Sequence, residues 1–235
     1  MFIRVICGGN FKSECHEKNT KAILDIFVNE NPTALKKTLP FFSYLFHPVF
    51  IPLMATMFYF YYNETLFQLK EKGFVLLQIT ILTIVVPILI YFLLKALKKI
   101  DSVMAYDLDQ RKIPLVLQSF LFILLVKRSI TIDRYFELHF FFLAALLSTL
   151  IALLLLFAKI KASIHMLAFR SLTVFVIGLH LHHPNHFPLL VPFLIFMNGI
   201  IASSRLVMKA HTPKELIIGF FSGAIPQLLL MVVWL

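Results

Sequence analysis

A short polar segment between two long apolar runs, SSRLVMKAHTPKELIIG at residues 203–219, holds the residues best suited to chemistry. His211 and Glu215 stand four positions apart, so on a helix the carboxylate can accept the ring N–H of the imidazole. Such a contact fixes the tautomer and makes the other ring nitrogen more nucleophilic. Arg205 precedes His211 by six residues and offers a planar, permanently charged fork for phosphate oxygens. The segment therefore predicts a nucleophilic histidine beside an anion-binding arginine.

Two other basic clusters beside apolar runs contain residue types that complement this segment. DLDQRKIP holds Arg111 and Lys112, whose positive charges suit an anion. KIKASIH holds Lys161, Ser163 and His165, which offer a cation, a hydroxyl donor and a general acid. We call these three places the polar nodes and number them in chain order: DLDQRKIP is the first node, KIKASIH the second and SSRLVMKAHTPKELIIG the third. Two apolar segments separate successive nodes, and an even number of crossings returns a chain to the same side of a membrane. We therefore predict that the nodes converge into one site if every apolar segment crosses.

The composition predicts that membrane-crossing helices position these nodes. Hydrophobic residues make up 60% of the chain and charged residues 14%, and the mean hydropathy is +0.87, all outside the range of soluble domains. The predicted fold is an all-α, polytopic transmembrane helix bundle, because only helices and closed barrels satisfy the backbone in lipid and the alternating pattern of a barrel is absent. A polar N-terminal tail, residues 1–40, precedes a transmembrane domain, residues 41–235.

The charge of the chain indicates its class of partner. The formal net charge is +10, which favours membrane lipids with anionic headgroups or a phosphorylated lipid substrate. No basic domain stands apart from the apolar segments, so we expect no nucleic acid as a partner. The two cysteines, Cys7 and Cys15, fit no metal or redox spacing and are expected to be free thiols.

The apolar pattern predicts six to seven membrane segments. The third, Pro114–Val126, covers only about 20 Å at 1.5 Å per residue, so it is either a short crossing or a re-entrant piece. Pro87 is expected to kink the second segment. The other predicted segments are Phe41–Tyr62, Phe74–Leu94, Leu138–Phe157, one that follows KIKASIH and ends near Leu181, Leu189–Ser203 and Leu216–Leu235.

The third node resembles the third motif of the type-2 phosphatidic acid phosphatase (vanadium haloperoxidase-like) superfamily. That motif is Ser-Arg, five residues, His, three residues and Asp. Ser204, Arg205 and His211 match its spacing, and Glu215 stands where Asp is usual.

The other two nodes resemble the first and second motifs less closely, and the resemblance as a whole covers residues 95–225. KASIH is similar to Pro-Ser-Gly-His at Ser163 and His165, and it departs from that motif at the two remaining positions. The first motif is Lys, six residues and Arg-Pro. Arg111 matches it, Pro114 is displaced by two residues, and Met104 stands at the position of the Lys.

The resemblance implies metal-independent hydrolysis of a membrane lipid phosphate or pyrophosphate, with no cofactor. It implies that His211 attacks phosphorus and forms a phosphohistidine, that Glu215 orients His211, and that His165 protonates the leaving lipid oxygen. The phosphate-binding residues it implies are Arg205, Arg111, Ser163, Lys112 and Lys161. Candidate substrates include phosphatidic acid, phosphatidylglycerol phosphate, a polyprenyl pyrophosphate and a lipid A phosphate, and the sequence does not choose among them.

The expected location is the bacterial cytoplasmic (inner) membrane, with the face of the site left open. Resemblance to bacterial family members implies a site that faces outward. The basic residues beside the nodes instead favour the cytoplasmic face under the positive-inside rule.

Two other functions compete with hydrolysis. The altered first and second motifs are compatible with a degenerate protein that binds lipid phosphate without cleaving it. An anion transporter would spread polar residues through its spans, whereas here they gather at one edge.

The turn HLHHPNH also suggests a metal site, but the same crossing count places it opposite the nodes, so we predict a solvated loop. Its histidines are His180, His182, His183 and His186.

Overall fold

The computed structural model describes residues 32–97, 108–182 and 188–235, and the regular structure within these ranges is helical, as predicted. The predicted N-terminal tail lies largely outside the described residues. Helix α1 nevertheless begins at Pro32, before the predicted first segment. The α-helices are α1 Pro32–Leu45, α2 Ile51–Tyr62, α3 Leu69–Thr80, α4 Val86–Ala96, α5 Leu108–Leu124, α6 Phe136–Phe157, α7 Ile164–His182, α8 Leu190–Val207 and α9 Pro213–Trp234.

Six helical stretches in the described ranges are long and apolar enough to cross a membrane, and the chain is a multi-pass membrane protein. The first stretch combines α1 and α2 across a break at Pro48–Phe50, and the second combines α3 and α4. The other four are α6 to α9. The stretches are Thr38–Tyr62, Leu69–Ala96, Phe136–Phe157, Ile164–His182, Leu190–Val207 and Pro213–Trp234.

Helix α5 is longer than the segment predicted at Pro114–Val126. It begins at Leu108, and a π-helical turn at Leu125–Ser129 continues it, giving a helical length of about 33 Å. It runs antiparallel to α6, since the Lys112 ammonium lies 5.3 Å from the Phe157 ring centre near one end and the Phe122 and Phe142 rings lie 6.1 Å apart further along. Because charged residues occupy both ends of α5, hydropathy alone underestimates the length of the helix. The helix therefore carries the chain from the first node to the opposite end of the bundle.

The irregularity expected at Pro87 takes the form of a π-helical turn. The turn occupies Ile81–Val85, and α4 then begins at Val86 with the proline in its first turn. Proline has no backbone N–H to donate to the carbonyl four residues earlier, so a wider turn satisfies the backbone at this point.

Close contact between α7 and α9 brings the second and third nodes together. A Cβ on Gly219 would overlap the carbonyl oxygen of Ser163, and one on Gly223 would overlap that of Leu167. Only glycine permits this approach of two backbones. The approach allows the Ser163 N–H to donate to the Glu215 carbonyl oxygen at 3.0 Å, which ties the start of α7 to the first turn of α9.

Candidate functional site

Glu215 joins the start of α9 to the ring of His211. Thr212 is the N-cap of α9, and the Glu215 N–H donates to its hydroxyl at 3.4 Å while Glu215 Oε2 accepts the Thr212 N–H at 3.4 Å. This is a capping box, for which Glu three residues after Thr is a preferred choice. The same Oε2 accepts from His211 Nδ1 at 2.7 Å. The carboxylate therefore fixes the Nδ1–H tautomer and leaves Nε2 with its lone pair available.

The surroundings of His211 keep its ring neutral. Its side chain is only 4% exposed. Burial lowers the pKa of His211 below the ordinary value, and the nearby guanidiniums of Arg205 and Arg111 lower it further, while the hydrogen bond and the charge of Glu215 oppose them. A lowered pKa means that the imidazole holds no extra proton at neutral pH, which is the state a nitrogen nucleophile requires.

The start of α7 adds a general acid candidate and a hydroxyl. His165 lies within electrostatic range of both His211 and Arg205. Ser163 is fully buried, and its Oγ has no hydrogen-bond partner among the described residues. A buried polar atom without a partner is costly, and a bound oxygen-rich group would satisfy it.

The first node reaches the site through Arg111 and not through Lys112. The Arg111 guanidinium, in the first turns of α5, acts electrostatically on both Glu215 and His211. The Lys112 ammonium instead lies over the ring of Phe157 at the end of α6. The structure thus brings together all of the predicted site residues except Lys112.

An open cleft of about 390 Å³ leads to the buried histidine. Lys161 and Lys209 contribute cations to its lining, beside His211 and Glu215. Lys209 was not among the predicted site residues. The remaining residues of the lining are Leu206, Ala210, Thr212 and Pro213.

The turns that precede Ser163 and His211 share one geometry. Lys159 and Lys209 follow the ends of α6 and α8 with left-handed φ values of 60° and 51°. The Ile160 N–H returns to the Leu155 carbonyl at 2.8 Å, and the Ala210 N–H returns to that of Arg205 at 3.1 Å. This helix ending usually has glycine, whereas lysine adds a cation that the helix dipole favours. Both turns reverse the chain within a few residues, so that Ser163 and His211 follow directly.

Two further residues at the site, Ser43 and His47, come from the first membrane stretch. The ring centroids of His47 and His165 lie 5.0 Å apart with their planes at 89°, and Arg205 Nη1 donates to Ser43 Oγ at 3.0 Å. Neither was predicted from the sequence, because Ser43 and Arg205 are 162 residues apart and His47 stands in an apolar run. The proline that follows His47 is the one local signal that the helix ends there.

The predicted histidine turn begins at the other end of α7 from the site. The His180 ring contacts the Tyr62 hydroxyl at 3.5 Å, and His182 Nδ1 lies 3.8 Å from the Glu137 carboxylate. His183 and His186 lie outside the described residues. Within the described part of the chain, no group of three or more His, Cys, Asp or Glu residues is placed to hold a metal ion.

Comparisons of the chain with protein-family models, with curated proteins and with solved structures found no match. The resemblance to the phosphatase superfamily therefore depends on the motif residues alone.

Proposed function

We propose that this chain is a metal-independent lipid phosphate phosphatase that works through a phosphohistidine at His211. The observation that carries the proposal is the meeting of three nodes, distant in sequence, around one buried imidazole. Glu215 holds Nδ1 of that imidazole at 2.7 Å, and two guanidiniums and a second histidine lie within electrostatic range. This is the set of groups that phosphoryl transfer to a histidine needs.

The first half-reaction moves the phosphoryl group from the lipid to the enzyme. The Nε2 lone pair of His211 forms a bond to phosphorus, and the bond between phosphorus and the lipid oxygen breaks. That oxygen leaves with the bonding electrons and takes a proton from His165. Glu215 stabilises the positive charge that develops on the His211 ring.

The second half-reaction returns the enzyme to its starting state. A water molecule loses a proton to His165 and attacks phosphorus, and the phosphorus–nitrogen bond breaks. His211 recovers its lone pair, and inorganic phosphate leaves through the cleft. Arg205, Arg111 and the unpartnered Ser163 hydroxyl stabilise the phosphoryl oxygens in both steps, and Lys161 attracts the anion at the entrance.

The proposed substrate is a phosphomonoester or pyrophosphate lipid, because the site opens from a helix bundle whose exterior is apolar. Large hydrophobic side chains are exposed along the bundle, as for Phe92, Phe196 and Leu229. These surfaces suit contact with lipid, so a lipid substrate can present its headgroup to the cleft from within the bilayer. The proposed location is a bacterial cytoplasmic membrane.

Phosphate release from a panel of lipid phosphates, in detergent with excess EDTA, tests this function. We expect release by the wild type, none by His211→Ala, and normal release by His180→Ala, whose ring lies at the other end of α7. Activity that EDTA abolishes, or that His211→Ala retains, would contradict the mechanism.

Binding without hydrolysis is the second candidate function. Ile164 stands where the resembling motif has glycine, and any side chain at that position can hinder a close approach of the backbone to a phosphate. Saturable binding of a lipid phosphate with no phosphate release, in the wild type, would favour this alternative.

A further inference from the structure

The first membrane stretch is interrupted at His47, between the end of α1 and the short helical turn at Pro48–Phe50. This interruption places the His47 ring against His165, the proposed general acid. His47 is the N-cap of the short helical turn at Pro48–Phe50, and the Val49 N–H donates to its Nδ1 at 3.4 Å. The following proline cannot continue α1, which ends at Leu45. The His47 ring then meets the His165 ring edge to face, with centroids 5.0 Å apart and an interplanar angle of 89°. This geometry is preferred for aromatic pairs, and it fixes the plane of both rings.

Ser43, one helical turn before His47, contacts two site residues at once. Its side chain is only 1% exposed. Its hydroxyl oxygen accepts from Arg205 Nη1 at 3.0 Å, and its backbone hydrogen-bonds to the ring of His165. Ser43 thus contacts both the Arg205 guanidinium and the His165 ring. Together with His47, four positions later, it forms one polar face of the first membrane stretch.

This face is in contact with two of the proposed reacting groups. The described lining of the cleft that opens on His211 contains neither Ser43 and His47 nor their partners Arg205 and His165. The acceptor nitrogen of His47 is already used by the Val49 N–H. Their contacts are to Arg205 and His165, which are the groups that the proposed mechanism places on the phosphate.

We propose that Ser43 and His47 are positioning residues, with Ser43 aligning the Arg205 fork and the His165 ring for the phosphate and His47 fixing the plane of that ring. The proposal rests on the function proposed above. It makes the first membrane stretch a fourth component of the site, beyond the three nodes that the sequence identifies.

Removal of the Ser43 hydroxyl tests the first half of the proposal. We expect Ser43→Ala to weaken the binding of inorganic phosphate, measured by titration calorimetry, by about tenfold, and to lower kcat/KM for a lipid phosphate by about ten- to a hundredfold, as for the loss of a hydrogen bond to a charged group. The matched control is Ser148→Ala, because Ser148 is also fully buried in a helix and its Oγ has no partner among the described residues. The control should bind phosphate as the wild type does.

Replacement of the His47 ring tests the second half. His47→Phe keeps a ring edge against His165, whereas His47→Ala removes it. We expect His47→Ala to lower kcat about tenfold with little change in KM, and His47→Phe to restore most of the loss. A direct phosphate contact by His47 would make the two variants equally poor and would overturn its role as a positioning residue. Nitrogen chemical shifts of the His165 ring should move in His47→Ala but not in Ser148→Ala.

The outcomes separate this proposal from the proposed function. An active wild type with Ser43→Ala and His47→Ala equally active would leave the phosphatase in place and overturn the positioning role. A wild type that neither binds inorganic phosphate nor releases it from any lipid would overturn the function, and this inference with it.

Discussion

At the scale of single residues, one carboxylate has two roles in this site. Glu215 caps α9 and orients His211 through the same oxygen atom. The chain has Glu where the resembling motif has Asp, and this side chain reaches both the Thr212 N–H and the imidazole. The orientation of the His211 ring is therefore tied to the start of the helix.

The acid limb of the pH profile should report the pKa of His211. Only the neutral ring can attack phosphorus, so we expect kcat/KM to fall as pH drops through a pKa that burial holds below the ordinary 6.5. Arg111→Gln removes a positive charge that lowers this pKa, so the limb should move to higher pH. Glu215→Gln removes a negative charge that raises it, so the limb should move to lower pH. Shifts in the same direction for both variants would contradict the assignment of the limb to His211.

The His211–Glu215 pair was predictable from the sequence, because four-residue spacing on a helix is a local rule. Ser43 and His47 were not, since their contacts depend on how the first membrane stretch packs against α7 and α8. The contact between the Lys112 ammonium and the Phe157 ring was not predictable for the same reason. Neighbouring residues on a helix point in different directions, so Arg111 lies near His211 while Lys112 lies over Phe157, and a phosphate-binding role for Lys112 stays a prediction.

At the scale of helices, the contact between α7 and α9 positions the second and third nodes. Gly219 packs against the Ser163 backbone, and this contact places the Ser163 N–H on the Glu215 carbonyl. Any side chain at Gly219 must separate the two helices near His211. The start of α5 matters in the same way, because Arg111 lies in its first turns, at the same end of the bundle.

Gly219→Ala should damage both stability and activity. The added Cβ would overlap a backbone carbonyl, which cannot move as a flexible side chain can, so we expect a loss of about 1–3 kcal/mol and a large fall in phosphate release. The control is Gly73→Ala, since Gly73 lies in α3 with nothing within 4 Å of the added Cβ. Alanine there should raise stability by about 0.5–1 kcal/mol and leave activity unchanged. Thermal unfolding in detergent measures the first effect, and equal behaviour of the two variants would contradict the close-packing account.

At the scale of the whole molecule, polarity is divided between the two ends of the bundle. The nodes gather at one end, and the other end is held by a separate cluster in which Arg134 binds both carboxylate oxygens of Glu71 at 2.8 and 2.6 Å. The hydropathy pattern predicted the helices, and the crossing count predicted which loops share an end. The ends of the helices were predicted less well, because charged residues and left-handed turns terminate them and hydropathy does not detect either.

Chemical labelling should show this division in the membrane. In a chain with Cys7 and Cys15 replaced by serine, we expect Lys159→Cys and Lys214→Cys to react with an impermeant maleimide from the same side of intact cells or inverted vesicles. Lys70→Cys, which is exposed near Glu71, should react from the opposite side. Labelling of the first two positions from different sides would contradict the shared face, and the side that reacts identifies the orientation of the site.

The most direct test of the central claim is the trapping of phosphate on His211. We would incubate His165→Gln with an aryl phosphate, whose leaving oxygen needs no proton, so that the first half-reaction proceeds while the variant lacks the base for the second. After an alkaline quench, which preserves a phosphorus–nitrogen bond, mass spectrometry would locate the phosphoryl group. We expect a phosphoryl adduct on the peptide that contains His211, lost when His211→Ala is added. Release of the aryl group with no adduct, or an adduct on another residue, would contradict it.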